Sequence, residues 1–403
     1  MSSTASHLVP GRAGRQAGRQ QGVLLMFMSC LPILGAVLLA PVLPTMQDHF
    51  GHDGAAKALV PLSLTVPALV IGLIAPFAGR IVDRFGRKQL LLAALVAYAV
   101  FGTAPLWLSS LGAIVASRAG VGVAEAAIMT CCTTLIADYF TGPARDRWLG
   151  LQTVFASVSA TVFFALGGAL GAHSWRAPFW LYASSLVFLG LAATLLWQPH
   201  SPSAQPARSR PDLPPLPRRA VLVPCLVTLF GGVVFYAPIV ELPYVLDDAD
   251  VTSVGAIGAV SALASAATAA GAFTFGRLTR RETRVLLPVA FGLAGLGLAV
   301  VGLTGAVPVI VVGAVIASSG TGLLLPTLLV WAVSGLAFEQ RGRGTGLWTA
   351  ALFLGEFVCP LLFLAVGAAV GGLSGALIVV GVAALVVAAA SRVALNRQVP
   401  VTA

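Results

Sequence analysis

The chain has 403 residues, of which 9% are charged and 58% hydrophobic, with a formal net charge of +10. Soluble domains carry roughly 25% charged residues, so this chain lacks the polar surface to cover one water-soluble core of its size. A single anchor segment does not shift a whole-chain average this far, and the apolar residues must be spread over many segments.

Residues 1–21 (MSSTASHLVPGRAGRQAGRQQ) form a basic, polar tail. The apolar stretch behind it is long and has no small-residue cleavage site after a short core, so it reads as a membrane span rather than a removed leader. A bilayer core ~30 Å thick needs about 20 helical residues. Runs of that length lie near 22–44, 57–79, 89–109, 111–139, 147–171 and 176–198. Residues 199–219 (PHSPSAQPARSRPDLPPLPRR) are rich in Pro and Ser, cannot continue a helix, and read as a flexible linker. Spans resume near 220–246, 251–278, 284–305, 307–336, 342–369 and 372–395, and 397–403 is a tail. The expected fold is an all-α membrane protein of about twelve transmembrane helices in two six-helix halves, 22–198 and 220–396.

Charge sets the expected orientation. With both termini on one side, the loops and tails there sum to +15 and the opposite loops to −3, while Arg118, Glu125, Glu241 and Glu356 remain inside spans. Such asymmetry places both termini in the cytoplasm. The basic balance therefore reports topology and contact with the lipid bilayer; without a basic stripe interleaved with stacking aromatics, no nucleic-acid partner is expected. Tyr139, Phe140 and Trp148 on the inner side, and Trp175 and Trp180 on the outer, read as interfacial belts. The five cysteines all sit in apolar runs and the five histidines at or beyond span ends, so neither a metal site nor a disulfide framework is expected.

The two halves echo each other. GRIVDR at 79–84 returns as GRLTRR at 276–281, G-V-G near 120 as G-T-G near 320, and R-W-L-G-L near 147 as R-G-T-G-L near 343. Weak repetition at a constant spacing of half the chain describes duplicated bundles of like orientation, which place a substrate cavity at the midplane between them. Halves that rock against one another are a transport device.

Residues 79–88 read Gly-Arg-Ile-Val-Asp-Arg-Phe-Gly-Arg-Lys. This segment resembles the G-x-x-x-D-R-x-G-R-K signature of the major facilitator superfamily, in the loop between the second and third helices, and the resemblance extends over essentially the whole chain. In the second-half copy Arg280 replaces the acid. Physically, Gly79 would allow close helix approach and Gly86 a tight turn. The resemblance implies that Asp83 accepts hydrogen bonds from the start of the eleventh helix, near Gly342 to Thr345. Arg84 or Arg87 can pair with Asp138, and together these groups would latch the halves in the outward-open state. Arg80 and Lys88 serve that latch or simply the topology. The WRAPF run at 175–179 also resembles the family's loop between helices five and six. VSATVFFALGGALG lacks the proline of the family's drug–proton antiporter signature on helix five.

Ionisable groups at mid-span cost several kcal/mol and normally face a cavity or a partner. Arg118 and Glu125 are seven residues apart and share one face of the fourth helix. Glu125 is a candidate proton carrier, and Arg118 could anchor a substrate carboxylate or phosphate; alternatively the two neutralise each other as packing. The Arg and GxxEA arrangement is similar to that of Spinster-like and organic-anion branches of the family. Glu356 lies in the apolar run LFLGEFVCP, Glu241 is either a gate or a water-facing rim residue, and Asp48 is expected at the outer rim. Pro32, Pro67, Pro326 and Pro360 would bend their helices.

No nucleotide-binding G-x-x-x-x-G-K-[ST] loop occurs, which argues against ATP-driven transport. No nucleophile cluster marks an enzyme. The expected function is secondary, proton-coupled transport of a small organic solute by a monomer, without cofactor, in the bacterial cytoplasmic (inner) membrane. Export of an amphipathic or anionic compound leads; uptake of an organic anion is the alternative, and a transport-inactive sensor the third.

Overall fold

The computed structural model describes residues 17–52, 54–199, 216–278 and 282–396. Most of the expected N-terminal tail and linker, Arg280 and the tail 397–403 lie outside the described residues. Twelve helices are long and apolar enough to cross a membrane. The first six are α1 (Arg19–His49), α2 (Ala56–Phe85), α3 (Arg87–Leu106), α4 (Leu111–Tyr139), α5 (Gly142–Gly171) and α6 (Ala177–Leu195). The second six are α7 (Arg218–Asp248), α8 (Val254–Arg277), α9 (Thr283–Gly302), α10 (Val307–Ser334), α11 (Phe338–Val370) and α12 (Leu373–Asn396).

Each expected span falls on one of these helices, but several helices overrun it. Hydropathy marks only the apolar stretch, while backbone hydrogen bonding continues through polar turns at the interface. Thus α5 starts at Gly142 and carries Arg145, Asp146 and Arg147 in its first turns. For the same reason Gly342 to Thr345 are not a helix terminus: α11 begins at Phe338, one turn earlier.

Prolines shape α1. It is divided into Arg19–Met28, Leu31–Val37, a short 3₁₀ turn at Ala40–Val42, and Leu43–His49, with Pro32, Pro41 and Pro44 each opening a piece. Proline has no N–H and tolerates only the first turn of a helix. At the break after Val37 the Leu39 amide does not reach the Gly35 carbonyl, which is left free of the helix. In α2 the missing N–H of Pro67 likewise frees the Ser63 carbonyl.

Within the first half, α4 packs on α2 and α3, and α6 on α3; in the second, α9 packs along α10 and α12, and α7 along α11. The halves join through α5 on α8 and α2 on α11. Gly168 and Gly258 make the first joint possible: a Cβ on Gly168 would lie 2.7 Å from the Gly258 Cα. Small residues allow such backbone approach where lipid supplies no hydrophobic drive. This joint lies toward the face opposite the Asp83–Lys88 loop. Also at that face, the last piece of α1 touches α7. On the basic face, among the described residues, α4 and α5 make no extended packing with α10 or α11. The bundle is sealed at the face opposite the basic loop, while toward the basic face α2 and α11 stay in contact, Gly346 lying against Ala75 and Pro76.

Candidate functional site

The freed carbonyls locate the polar centre of the first half. Arg118 on α4 is fully buried. Its Nε donates to the Ser63 carbonyl at 3.0 Å and its Nη2 to the Gly35 carbonyl at 3.1 Å. Both acceptors are groups that the proline in α2 and the break in α1 release. The guanidinium also lies 5.1 Å from the Tyr182 ring centroid, a cation–π arrangement. Tyr182 packs on Tyr98, with centroids 4.9 Å apart, and the Tyr98 hydroxyl donates to the Leu31 carbonyl at 2.6 Å. Arg118 therefore ties α1, α2, α4 and α6 together inside one half, although its Nη1 has no partner.

Glu125, two turns along α4, is 1% exposed and its Oε1 has no hydrogen-bond partner. It does not pair with Arg118; the ion pairs among the described residues lie elsewhere. Seven residues are about 10 Å along a helix, and side chains lean toward the N-terminus, so the arginine leans away from the glutamate. Mutual neutralisation by direct contact is thereby corrected, although their charges still act on one another through space. Glu125 instead lies over Gly35 so closely that a side chain at that position would collide with the carboxyl. This glycine is needed for lack of volume, not for an unusual backbone angle.

The second half presents its own acids. Gly232 on α7 and Gly355 on α11 bring their backbones together, a Cβ on Gly232 falling 3.1 Å from the Gly355 Cα. Glu356 follows Gly355, and Tyr236 is one turn beyond Gly232. Glu356 is 5% exposed and lies near Glu125 across the interface. The Tyr236 hydroxyl donates to the Ala36 carbonyl of α1 at 2.7 Å. Glu241, read as either a gate or a water-facing rim residue, is buried at 6% exposure beside Tyr244 and Cys359, which does not fit the rim. α7 runs about two turns past it, to Asp248. Asp48 is exposed near Asp247, at the face opposite the basic loop.

At the basic face, Arg87 Nε lies 2.9 Å from Asp138 Oδ2, and its Nη2 3.6 Å from Asp83 Oδ1. Arg84 does not join this cluster and lies over the Phe85 ring. Asp83 is two-thirds exposed and meets Arg87 rather than α11. Gly86 adopts φ 81°, a left-handed conformation that a side chain would strain. Gly79 has open space around it, so close helix approach is not its role. Lys88 has a specific place that the motif did not foretell. Its Nζ donates to the Ala193 and Leu196 carbonyls at 2.8 and 2.6 Å, capping the end of α6. The aromatic belts are corrected in part. Trp180 is exposed, whereas Trp175 is buried against Phe50, and Tyr139 is pinned to the Trp197 carbonyl.

Sequence reasoning overlooked Tyr98, Tyr182 and Tyr236. A signal existed: the chain has five tyrosines, and these three fall in the middle of apolar spans, where a hydroxyl needs a partner. Among the described residues no His, Cys, Asp or Glu cluster is arranged to hold a metal ion.

Comparison with known proteins agrees with this architecture. The chain is 34% identical over 162 residues to the class C tetracycline resistance protein of Escherichia coli, covering 39% of each. A longer match, 24% identical over 339 residues and 83% of each chain, is to the multidrug efflux protein YfmO of Bacillus subtilis. The chain spans half or less of the length of the first curated relatives it matches. The fold is also that of a bacterial homologue of the human lysosomal transporter Spinster, crystallised inward-facing and occupied. That structure has a TM-score of 0.77 and 17% identity, over 94% of this chain and 96% of the other. The family model described as Major Facilitator Superfamily matches residues 25–252, more than half of the sequence, and the chain belongs to that family.

Proposed function

We propose that the protein is a proton-coupled secondary transporter that moves a small organic solute across the bacterial cytoplasmic membrane by alternating access. One observation carries this reading: Glu125 is buried where α4 crosses the broken helix α1, and one of its oxygens has neither a hydrogen-bond partner nor a cation against it. A carboxyl in that position holds a proton cheaply and a charge expensively. It suits a group that is loaded on one side of the membrane and emptied on the other. At the basic face α4 and α5 make no extended packing with α10 or α11, which supports an inward-facing arrangement, with the Asp83–Lys88 loop and both termini on the cytoplasmic side.

Export of an amphipathic or anionic compound is the favoured direction, in keeping with the resistance and efflux proteins among the relatives. Arg118 acts as a brace, since its donors meet backbone carbonyls inside one half. Asp83, Gly86, Arg87 and Asp138 form the part of a latch that belongs to the first half, and closure of the basic face would bring α11 to Asp83. The unit of transport is a monomer.

The test is reconstitution into liposomes holding a pH-sensitive dye, with pooled amphipathic anions added to wild type and to Glu125→Gln. A solute-driven proton flux that the variant loses supports the reading. Solute movement without any dye response refutes proton coupling.

A further inference from the structure

Polar contacts between the halves are few. Among the described residues, two side-chain hydrogen bonds are seen to cross: Thr161 Oγ1 to Ser265 Oγ at 3.3 Å, and the Tyr236 hydroxyl to the Ala36 carbonyl at 2.7 Å. The second is the shorter and lies at the centre. Ala36 follows Gly35, the residue over which Glu125 lies, so Tyr236 and Glu125 meet α1 at adjacent positions. Glu356 faces the same place from α11. It makes no hydrogen bond or ion pair among the described residues, although it is 5% exposed. The bond from Tyr236 thus runs between two buried acids contributed by opposite halves.

We propose that Glu356 is a second proton-binding group of the transporter, and that Tyr236 conveys its protonation state to the joint between the halves. This rests on the proton-coupled reading above. A tyrosine has one proton to give. While the neighbouring carboxyls are protonated they compete poorly for it, and Tyr236 holds Ala36. Its free lone pairs can then accept from a carboxylic acid. An ionised carboxylate is the stronger acceptor, because charge-assisted hydrogen bonds are roughly twice as strong as neutral ones. Once Glu356 loses its proton, the hydroxyl turns to the carboxylate and Ala36 is released. One proton leaves the acid for water, and the tyrosine keeps its own.

Release loosens the central bond that joins α7 to α1. Two carboxylates facing each other in this setting also repel. Deprotonation therefore acts twice against the sealed arrangement, and protonation acts twice for it. The groups that face this point are Glu125 and Arg118 from α4, Cys359 from α11, and Glu241 further along α7. Arg118 is the cation among them and is occupied by two carbonyls. It moderates the field without meeting either acid.

Electron–electron spin distances in lipid nanodiscs test the proposal on the full chain. Labels at Ala144→Cys and Glu339→Cys, in a Cys225→Ser background, report the separation of the two halves at the basic face. Wild type should favour the wide separation at acid pH and move toward the narrow one as pH rises. Tyr236→Phe should lower the wide-to-narrow ratio about tenfold at acid pH and lose most of the pH response. Glu356→Gln should keep the wide form and lose most of the response as well. It also keeps the side-chain volume, should the tyrosine variant fold poorly. A wild-type pH response in either variant overturns the proposal. The liposome assay separates the two readings. If Glu125→Gln abolishes proton flux while both spin-labelled variants titrate like wild type, coupling stands and Glu356 with Tyr236 is excluded. If wild type drives no proton flux but its distances titrate through Tyr236, coupling falls and the link stands.

Discussion

Replacing Arg118 with glutamine asks whether the buried cation is a brace or a ligand group. The side chain makes two charged hydrogen bonds, to the Ser63 and Gly35 carbonyls, and stacks on Tyr182. Each such hydrogen bond is worth about 1.5–3 kcal/mol, and a desolvated cation–π contact about 2 kcal/mol. Against this stands the cost of keeping a guanidinium out of water, several kcal/mol, which the substitution relieves. The balance is a loss of about 3–5 kcal/mol. At about 2 °C per kcal/mol for a chain of this size, the midpoint of unfolding should fall by about 8 °C. Tryptophan fluorescence during a thermal ramp in detergent measures it. Arg118→Lys should recover only part of the loss, because one ammonium cannot span two carbonyls on different helices. If Arg118→Gln unfolds within about 1 °C of wild type and yet transport stops, the brace is refuted and the arginine binds substrate.

Further outcomes follow from the same contacts. Pro67→Ala returns an N–H to the Ser63 carbonyl and competes with Arg118 Nε; it should destabilise by about 1–2 kcal/mol despite improving helix propensity, and a gain in melting temperature would contradict it. Gly168→Leu drives a side chain into the α8 backbone at Gly258. It should unseal the face opposite the basic loop, so that a cysteine placed at Thr161 reacts with an impermeant maleimide from that side. Asp138→Asn removes the Arg87 pair, whose members are 19% and 26% exposed. It should cost only about 0.5–1 kcal/mol and cost less in high salt, and a salt-independent loss would point to burial instead.

The fold was legible because a bilayer forbids unsatisfied backbone. Any chain with twelve apolar runs of sufficient length must make them helices, and two similar sets of six must pack as halves. The site was legible only in its acids and in Arg118, since an ionisable residue in lipid announces itself. What those residues touch was not. The separation of Arg118 from Glu125 depends on side-chain lean and on carbonyls supplied by other helices, and neither is written into a seven-residue spacing. The choice between gate and rim for Glu241 was not legible because burial depends on which helices pack over α7, and hydropathy does not report that. Gly35 and Gly232 were passed over among 44 glycines, because close approach is a property of pairs of helices and not of a motif.

Prolines and acids belong to one design here. Pro67 and the break in α1 each turn a helical carbonyl into a free acceptor. Arg118 takes the Ser63 and Gly35 carbonyls within the first half, and Tyr236 takes that of Ala36 from the second. The broken segment of α1 is thereby held from both sides at consecutive residues, 35 and 36, with Glu125 lying over the first. A continuous helix would offer neither acceptor, and the halves would meet there only through apolar side chains that do not sense a proton. The break in α1 places a hydrogen-bond acceptor where the two halves and their carboxyls converge, which is the place a transporter needs one if protonation is to move its halves.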